Sequence, residues 1–228
     1  MAEVLIISGA GDYGDPWHRF GETSQRVAGI IGELGHHVAI SDAVEQDLAD
    51  PGESNLVVVN IGKPREARPQ SGIDAAERGL DRYLRRGGAL LGLHVSATSM
   101  TTMPRWSEML GGHWVPGRTM HPEQGLFTVL VQPGAHPIVG GMANFTVFDE
   151  RYSYLHTNPD ITVMCEHSTD GRLHPTVWAR ESGLARVVYD GLGHDTRSYE
   201  SAGHVDLLRR TVGWLLRDGE ATPHAPSA

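Results

Sequence analysis

The first 93 residues alternate short apolar runs with amphipathic segments, and that alternation restricts the fold more than any other feature of the chain. Val4-Leu5-Ile6-Ile7 is a continuous apolar run closed by Ser8-Gly9, the pattern of a parallel strand buried on both faces. Val27, Ile30, Ile31 and Leu34 then recur at helical spacing within Thr23 to Leu34, and Gly35 stops the helix. His37 to Ile40 and Leu56 to Val59 read as the second and third strands, with Asn60 and Gly62 at the latter's exit. Ile73 to Arg86 is expected to be a helix with Ala76, Leu80, Tyr83 and Leu84 on one face; Gly87-Gly88 ends it, and Ala89 to Leu93 is the fourth strand. Such alternation builds a mostly parallel sheet covered on both faces, an α/β three-layer sandwich.

The second half is richer in strands. After a short helix at Trp106 to Leu110, strands are expected at Leu126 to Val131, Thr146 to Phe148, Ile161 to Glu166, Thr176 to Ala179 and Arg186 to Tyr189. A last amphipathic helix spans about Ala202 to Leu216, with Val205, Leu208, Val212 and Leu215 on its apolar face. No linker or internal repeat divides the chain, so residues 1–218 are read as one α/β domain and residues 219–228 as a frayed tail.

Composition excludes several classes. The chain has 228 residues, 39% hydrophobic and 21% charged, ordinary for a folded globule. Its 19 basic and 28 acidic side chains leave a net charge of −9 with no basic run, which argues against nucleic acid and anionic membranes as partners. The single cysteine, Cys165, excludes an internal disulfide framework and a cysteine zinc cage. Apolar runs are strand-sized and the first begins at Val4, so neither a signal peptide nor a membrane span is expected, and the cytoplasm is the expected compartment. Thirteen histidines are more than packing usually asks for and point to proton transfer or metal binding.

Gly9-Ala10-Gly11-Asp12-Tyr13-Gly14 fits the G-x-G-x-x-G dinucleotide fingerprint after the first strand, and Asp42 ends the second. Asp15-Pro16 follows, however, and the periodic helix begins only near Gly21 to Thr23. The loop is too long to aim a helix N-terminus at a pyrophosphate, so it is read as a glycine-rich active-site loop rather than an NAD(P) site.

The fourth strand leaves through Gly92-Leu93-His94-Val95-Ser96, a tight exit of the kind that lifts one side chain above the sheet edge. After Gly87-Gly88-Ala89 and this exit come Met109 to Trp114, His121-Pro122, His136-Pro137-Ile138 with Gly140-Gly141-Met142, and Phe148-Asp149-Glu150-Arg151-Tyr152. His174-Pro175-Thr176-Val177-Trp178, Gly183-x-x-Arg186-Val187, Leu192-Gly193-His194-Asp195 and Val212-Gly213-Trp214 complete the series. Taken in this order, the chain resembles the trehalose-utilisation, or ThuA-like, family. It departs from the family at Gly183-Leu184-Ala185, where members often carry Gly-Lys-Gly. The resemblance implies a class I glutamine amidotransferase-like (flavodoxin-like) fold and a role in carbohydrate metabolism. Amidotransferases of this fold place cysteine at the elbow; this chain has His94, which disfavours a thiol-dependent amidotransferase.

His94, Glu150 and His194 are the candidate catalytic residues, since each follows a strand and they are expected to meet at the carboxyl edge. Two imidazoles and a carboxylate can act as acid and base or can hold a divalent metal such as zinc, and spacing does not choose between these. Trp17, His18, His121, Tyr152 and Asp195 are candidate substrate-binding residues; Asp195 could also orient the His194 ring. Trp114, on a loop like Trp17, offers an indole face to a sugar ring. His36, His37, His156, His167, His204 and His224 read as surface or tail residues. An enzyme acting on a sugar or oxidised (keto) sugar is the first reading, and a non-catalytic sugar-binding or partner-regulating module the alternative. Whether copies of the chain associate is left open.

Overall fold

A computed structural model describes residues 1–218; the expected tail and His224 lie outside the described residues. In chain order the elements are β1 (Glu3–Ser8), α1 (Phe20–Glu33), β2 (His37–Ser41), α2 (Val44–Ala49), β3 (Leu56–Asn60), α3 (Gln70–Arg85) and β4 (Ala89–Leu93). Then come α4 (Trp106–Leu110), β5 (Gly112–His113), β6 (Gly125–Val131), β7 (Phe145–Asp149), β8 (His156–Thr157), β9 (Thr162–Thr169), β10 (Arg172–Ser182), β11 (Ala185–Asp190) and α5 (Ala202–Leu215). Among these residues no helix is long and apolar enough to cross a membrane.

Nine strands form one sheet in the order β2-β1-β3-β4-β11-β10-β9-β6-β7. From β2 to β11 every pairing is parallel. From β11 to β7 every pairing is antiparallel. Successive strand residues face opposite sides, and the core divides accordingly. Ile6, Val58, Leu91 and Val188 pack with α1 and α5, whereas Ile7, Val57, Leu90 and Val187 pack with α2, α3 and α4. These are the three layers of an α/β sandwich of the class I glutamine amidotransferase-like kind.

The differences from the sequence reading have local causes. Helix α2 buries only Val44 and Leu48, too few positions to show a period. Strand β10 runs through Pro175, which cannot donate to a ladder, and a register shift between Pro175 and Val177 lets the strand pass it. Helix α1 begins at Phe20, whose ring is buried ahead of the periodic stretch.

Three histidines expected at the surface are buried: His36, His167 and His204. His204 lies on the core stripe of α5 with Leu207, Leu208, Thr211, Val212 and Leu215, and its Nε2 faces Asp190 Oδ2 at 3.1 Å. His36 Nε2 lies 3.3 Å from Asp218. His167 occupies an inward position of β9, its Nε2 3.0 Å from the Tyr152 carbonyl and its Nδ1 3.1 Å from Thr169 Oγ1. Burial draws its pKa down to about 4, and the nearby His174 and Arg151 act in the same direction against its hydrogen bond to Tyr152. A histidine with a depressed folded pKa contributes stability that is complete above its unfolded value, near 6.5, and is lost as pH falls towards 4. Between pH 7 and 5 this one group should remove about 2 kcal/mol of unfolding free energy. Urea unfolding at the two pH values should show that loss, and His167→Gln, which keeps a donor for the Tyr152 carbonyl, should reduce it.

Candidate functional site

Strands β1, β3, β4 and β11 run in one direction, and so does β7, because four antiparallel steps separate it from β11. Their chain exits therefore share one edge, and the candidate residues gather there. The entrance to α1 is pinned to this edge by a buried polar chain: Asn60 Nδ2 donates to Ser24 Oγ at 2.9 Å, and Ser24 Oγ donates to Ser8 Oγ at 2.8 Å.

The glycine-rich loop after β1 does not open a long helix. Gly11–Tyr13 is a single 3₁₀ turn, and α1 begins at Phe20. Gly9 is required by crowding, since a Cβ there would lie 2.6 Å from the Tyr13 carbonyl oxygen. The loop's role is to present Asp15 and His18. Asp15 Oδ1 accepts from the backbone N–H groups of Trp17 (2.9 Å) and His18 (2.8 Å), and both its oxygens lie 2.8 Å from His18 Nδ1. Carboxylate oxygens only accept, so the His18 proton rests on Nδ1 and Nε2 is left with its lone pair.

His94 emerges from β4 with φ of +39°, a left-handed conformation that is costly for a residue with a Cβ. Its carbonyl accepts from Tyr189 OH at 2.8 Å, and its Nδ1 lies 2.8 Å from the Gly191 carbonyl, which fixes the proton on Nδ1. The side chain is only 1% exposed and stacks against Tyr152 with ring centres 4.3 Å apart.

Glu150 and His194 are set by a residue that the sequence reading passed over. Asp149 is fully buried, and its carboxylate accepts from the backbone N–H groups of Glu150 (2.8 Å), Gly193 (2.7 Å) and His194 (3.2 Å). It ties the exit of β7 to the exit of β11. Gly193 has φ of +110° and leaves no room for a Cβ, which would meet Tyr199 Oη at 2.5 Å. Asp195, expected to orient His194, is instead occupied by Arg197 and Gln124 and caps the 3₁₀ helix Thr196–Glu200. Asp149 was hidden because an acidic residue ending a strand carries no signal of its own.

Glu150 Oε2 lies 3.3 Å from His94 Nε2 and 3.2 Å from His194 Nδ1, and Oε1 lies 3.5 Å from His121 Nδ1. Ring centres of His18 are 5.3 Å from His94 and 4.7 Å from His194, and those of His94 and His194 are 5.4 Å apart. Burial raises the Glu150 carboxyl, but His194 and His94 outweigh it and hold the group far below the usual carboxylate range. Burial lowers His94, and the Glu150 carboxylate overcomes this and raises it. Burial, reinforced by neighbouring His94, draws His18 down to about 4 despite Asp15. Nε2 of His18, Nε2 of His94 and Nδ1 of His194 are all buried without a directed hydrogen bond.

A cavity of about 450 Å³ opens over this cluster, lined by Trp17, His18, His121, Glu150, Tyr152 and His194. A second, of about 440 Å³, adjoins it across Trp17, His18 and Tyr152 and extends to Trp114, Lys63 and Arg65. Either is large enough for a sugar. Trp17 is 72% exposed and forms a rim, while Tyr152 is buried as a wall. A cleft of about 390 Å³ near the start of β11 is lined by Arg85, Arg105 and Asp81, whose charges pair with one another. Cys165 is buried within β9, its thiol pushed up by burial, and takes no part in the cluster.

The sheet order and the strained exit of β4 define the amidotransferase-like class. A family model described as ThuA, trehalose utilisation, matches residues 4–215, and the chain belongs to that family. The family's description associates it with carbohydrate metabolism. A ThuA-like protein from Parabacteroides merdae is similar in structure at a TM-score of 0.79 and 18% identity, covering 99% of this chain and 93% of that one. Another, from Bacteroides uniformis, gives 0.73 and 18%, covering 94% and 91%. A glutamine amidotransferase from Thermotoga maritima gives 0.58 at 13% identity, covering 94% and 98%. No curated protein matches the sequence.

Asp149→Asn should test the tie between β7 and β11. An amide offers one acceptor oxygen where three backbone donors now converge, and its NH₂ would face at least one of them. The variant should lose about 1–3 kcal/mol in urea unfolding, while Asp195→Asn, at the solvent side of the same loop, should lose less than Asp149→Asn.

Proposed function

We propose that the chain is an enzyme that transforms a sugar or an oxidised (keto) sugar derivative in the cavity above His94, Glu150 and His194. The observation that carries this reading is an ionised carboxylate shared by imidazoles on the floor of a sugar-sized, aromatic-walled cavity. Trp17 and Tyr152 offer ring surface to the C–H face of a sugar, and the floor offers charged partners to its oxygens.

The carboxylate count favours carbonyl chemistry over glycosidic cleavage. Glycoside hydrolases use two carboxyl groups flanking the bond, about 5–10 Å apart. Among the described residues Glu150 is the one carboxylate lining this cavity; Asp149 is consumed by three backbone donors and Asp15 by the His18 ring and turn. One base with imidazoles around it suits moving a proton at the carbon beside a carbonyl. A proton on His94 Nε2 would donate to the substrate carbonyl oxygen, while the Glu150 carboxylate, with His194 beside it, accepts from a substrate hydroxyl. His121, half exposed on the wall with Nδ1 facing the Pro122 carbonyl at 3.0 Å, has Nε2 free to carry the proton. His18 and Trp17 close the near side.

The test is a panel of aldoses, ketoses and keto-glycosides incubated in D₂O and followed by NMR. A substrate should exchange deuterium at the carbon beside its carbonyl. His94→Ala and Glu150→Gln should lower kcat/KM by about 100-fold or more without unfolding the chain. Saturable binding of sugars with no exchange or conversion would instead identify a binding module, and no binding at all would overturn the reading. Cys165→Ala should leave turnover within about two-fold, because a buried thiol in β9 acts as a small apolar side chain.

A further inference from the structure

We propose that His18, His94, Glu150 and His194 together hold one divalent transition-metal ion of the zinc class. This rests on the same cluster as the sugar reading and adds His18 as a ligand and Asp15 as the group that orients it. One ligand atom from each of the four residues lies within 4.8 Å of the others. A metal bonded to nitrogen and oxygen at about 2.0–2.1 Å places neighbouring ligand atoms of a tetrahedron roughly 3.3–3.4 Å apart. Two edges of the cluster fit this: Glu150 Oε2 lies 3.3 Å from His94 Nε2 and 3.2 Å from His194 Nδ1.

The orphaned nitrogens make the stronger argument. Three ring nitrogens of the cluster, Nε2 of His18, Nε2 of His94 and Nδ1 of His194, are buried without a directed hydrogen bond, and the last two flank Glu150 Oε2. A proton on His94 would give one of them a partner and leave the nitrogens of His18 and His194 unsatisfied. A cation at the centre satisfies all three and neutralises the carboxylate. Two rings are already set for this: Asp15 holds the His18 proton on Nδ1, and the Gly191 carbonyl does the same for His94, so each turns a lone pair inward. A carboxylate or carbonyl behind a ligating imidazole is the usual outer support of a metal site.

The donor set narrows the ion. Three imidazoles and one carboxylate suit zinc and its neighbours in the first transition row; magnesium and calcium prefer all-oxygen shells, and copper(I) prefers sulfur. Four protein ligands complete a tetrahedron, so such an ion would polarise a carbonyl or hydroxyl oxygen only by taking it as a fifth ligand. His121 then remains the ring beside Glu150 that lies outside the ligand set. His113 and His156 also approach, with ring centres 4.9 Å apart, but His113 Nδ1 is engaged by Ser107 Oγ at 2.6 Å and, among the described residues, no carboxylate joins them as a third ligand.

The test uses the full chain, stripped with a chelator and then titrated with Zn²⁺ by calorimetry and with Co²⁺ by visible absorption. Saturation at about one equivalent is expected, with Zn²⁺ displacing Co²⁺. His18→Ala and His94→Ala should weaken binding by at least about 100-fold, and Asp15→Asn by about 10–100-fold. His113→Ala should bind as the wild type does. Circular dichroism checks each fold; if His94→Ala does not fold, His18→Ala and Asp15→Asn, on the loop before α1, still decide the matter. No saturable binding in the micromolar range, binding indifferent to His18→Ala and Asp15→Asn, or binding abolished by His113→Ala would overturn the proposal. None of these readouts contains a sugar. Metal binding with neither binding nor exchange of any sugar would leave the site standing and remove the sugar reading, while sugar exchange by a protein that binds no metal would do the reverse.

Discussion

Burying an ionised carboxylate is the demand around which the carboxyl edge is organised. Removing such a group from water costs several kcal/mol unless positive or hydrogen-bonding partners surround it. Glu150 finds them in His94 and His194, from the exits of β4 and β11, and in His121, from the loop before β6. Each partner in turn needs its own fixture. The Gly191 carbonyl orients His94, Asp149 holds the backbone of His194, and Asp15 clamps His18 against the other two rings. The cluster is thus a nested set of dependencies, and Asp149, touching two of the exits directly, is its narrowest point.

Topology makes this convergence available. The parallel half of the sheet releases β1, β4 and β11 at one edge, as the ligand rule for open α/β sheets requires. Glu150 follows an antiparallel strand, which by itself would put it at either edge. An even number of reversals between β11 and β7 returns the chain to the common direction. The antiparallel extension is therefore a part of the candidate site, because it supplies Glu150, the carboxylate beside which His94 and His194 meet.

The elements that could be read from sequence were those with a long local pattern. Ala89–Leu93 and Trp106–Leu110 fall where the apolar runs and the flanking glycines put them. His94, Glu150 and His194 could be nominated because each follows a strand, and a shared edge brings such residues together. Asp15 and Asp149 could not be nominated for their roles. Their partners are backbone N–H groups and one ring nitrogen, and most of those bonds depend on how loops pack rather than on any side-chain motif. A better signal was present for Asp15: Asp-Pro-Trp-His is a turn-forming sequence in which the aspartate side chain binds backbone two and three residues on. His167 and His204 were misplaced at the surface for the opposite reason. An isolated histidine within an apolar stripe reads as polar, and the Tyr152 carbonyl or Asp190 that satisfies it comes from elsewhere in the chain.

The exit of β4 shows what the amidotransferase-like fold presents when histidine stands at the elbow. A nucleophile elbow holds its reactive residue in a strained turn so that the side chain stands clear of the sheet. His94 keeps that backbone, with φ of +39°, and Gly92 keeps the clearance beneath it, since a Cβ there would press on Leu110 and Ser96 at 2.5 and 2.8 Å. The side chain, however, is an imidazole whose Nδ1 is already committed to the Gly191 carbonyl. A group fixed in this way cannot swing towards a substrate as a nucleophile does; it can only present Nε2 to whatever lies at the centre of the cluster. The strain is held by Tyr189, whose hydroxyl donates to the His94 carbonyl from the neighbouring strand β11. The fold thus retains the strained position with a ring nitrogen at the elbow, and on the proposed reading the chemistry lies in the space that His18, His94, Glu150 and His194 enclose.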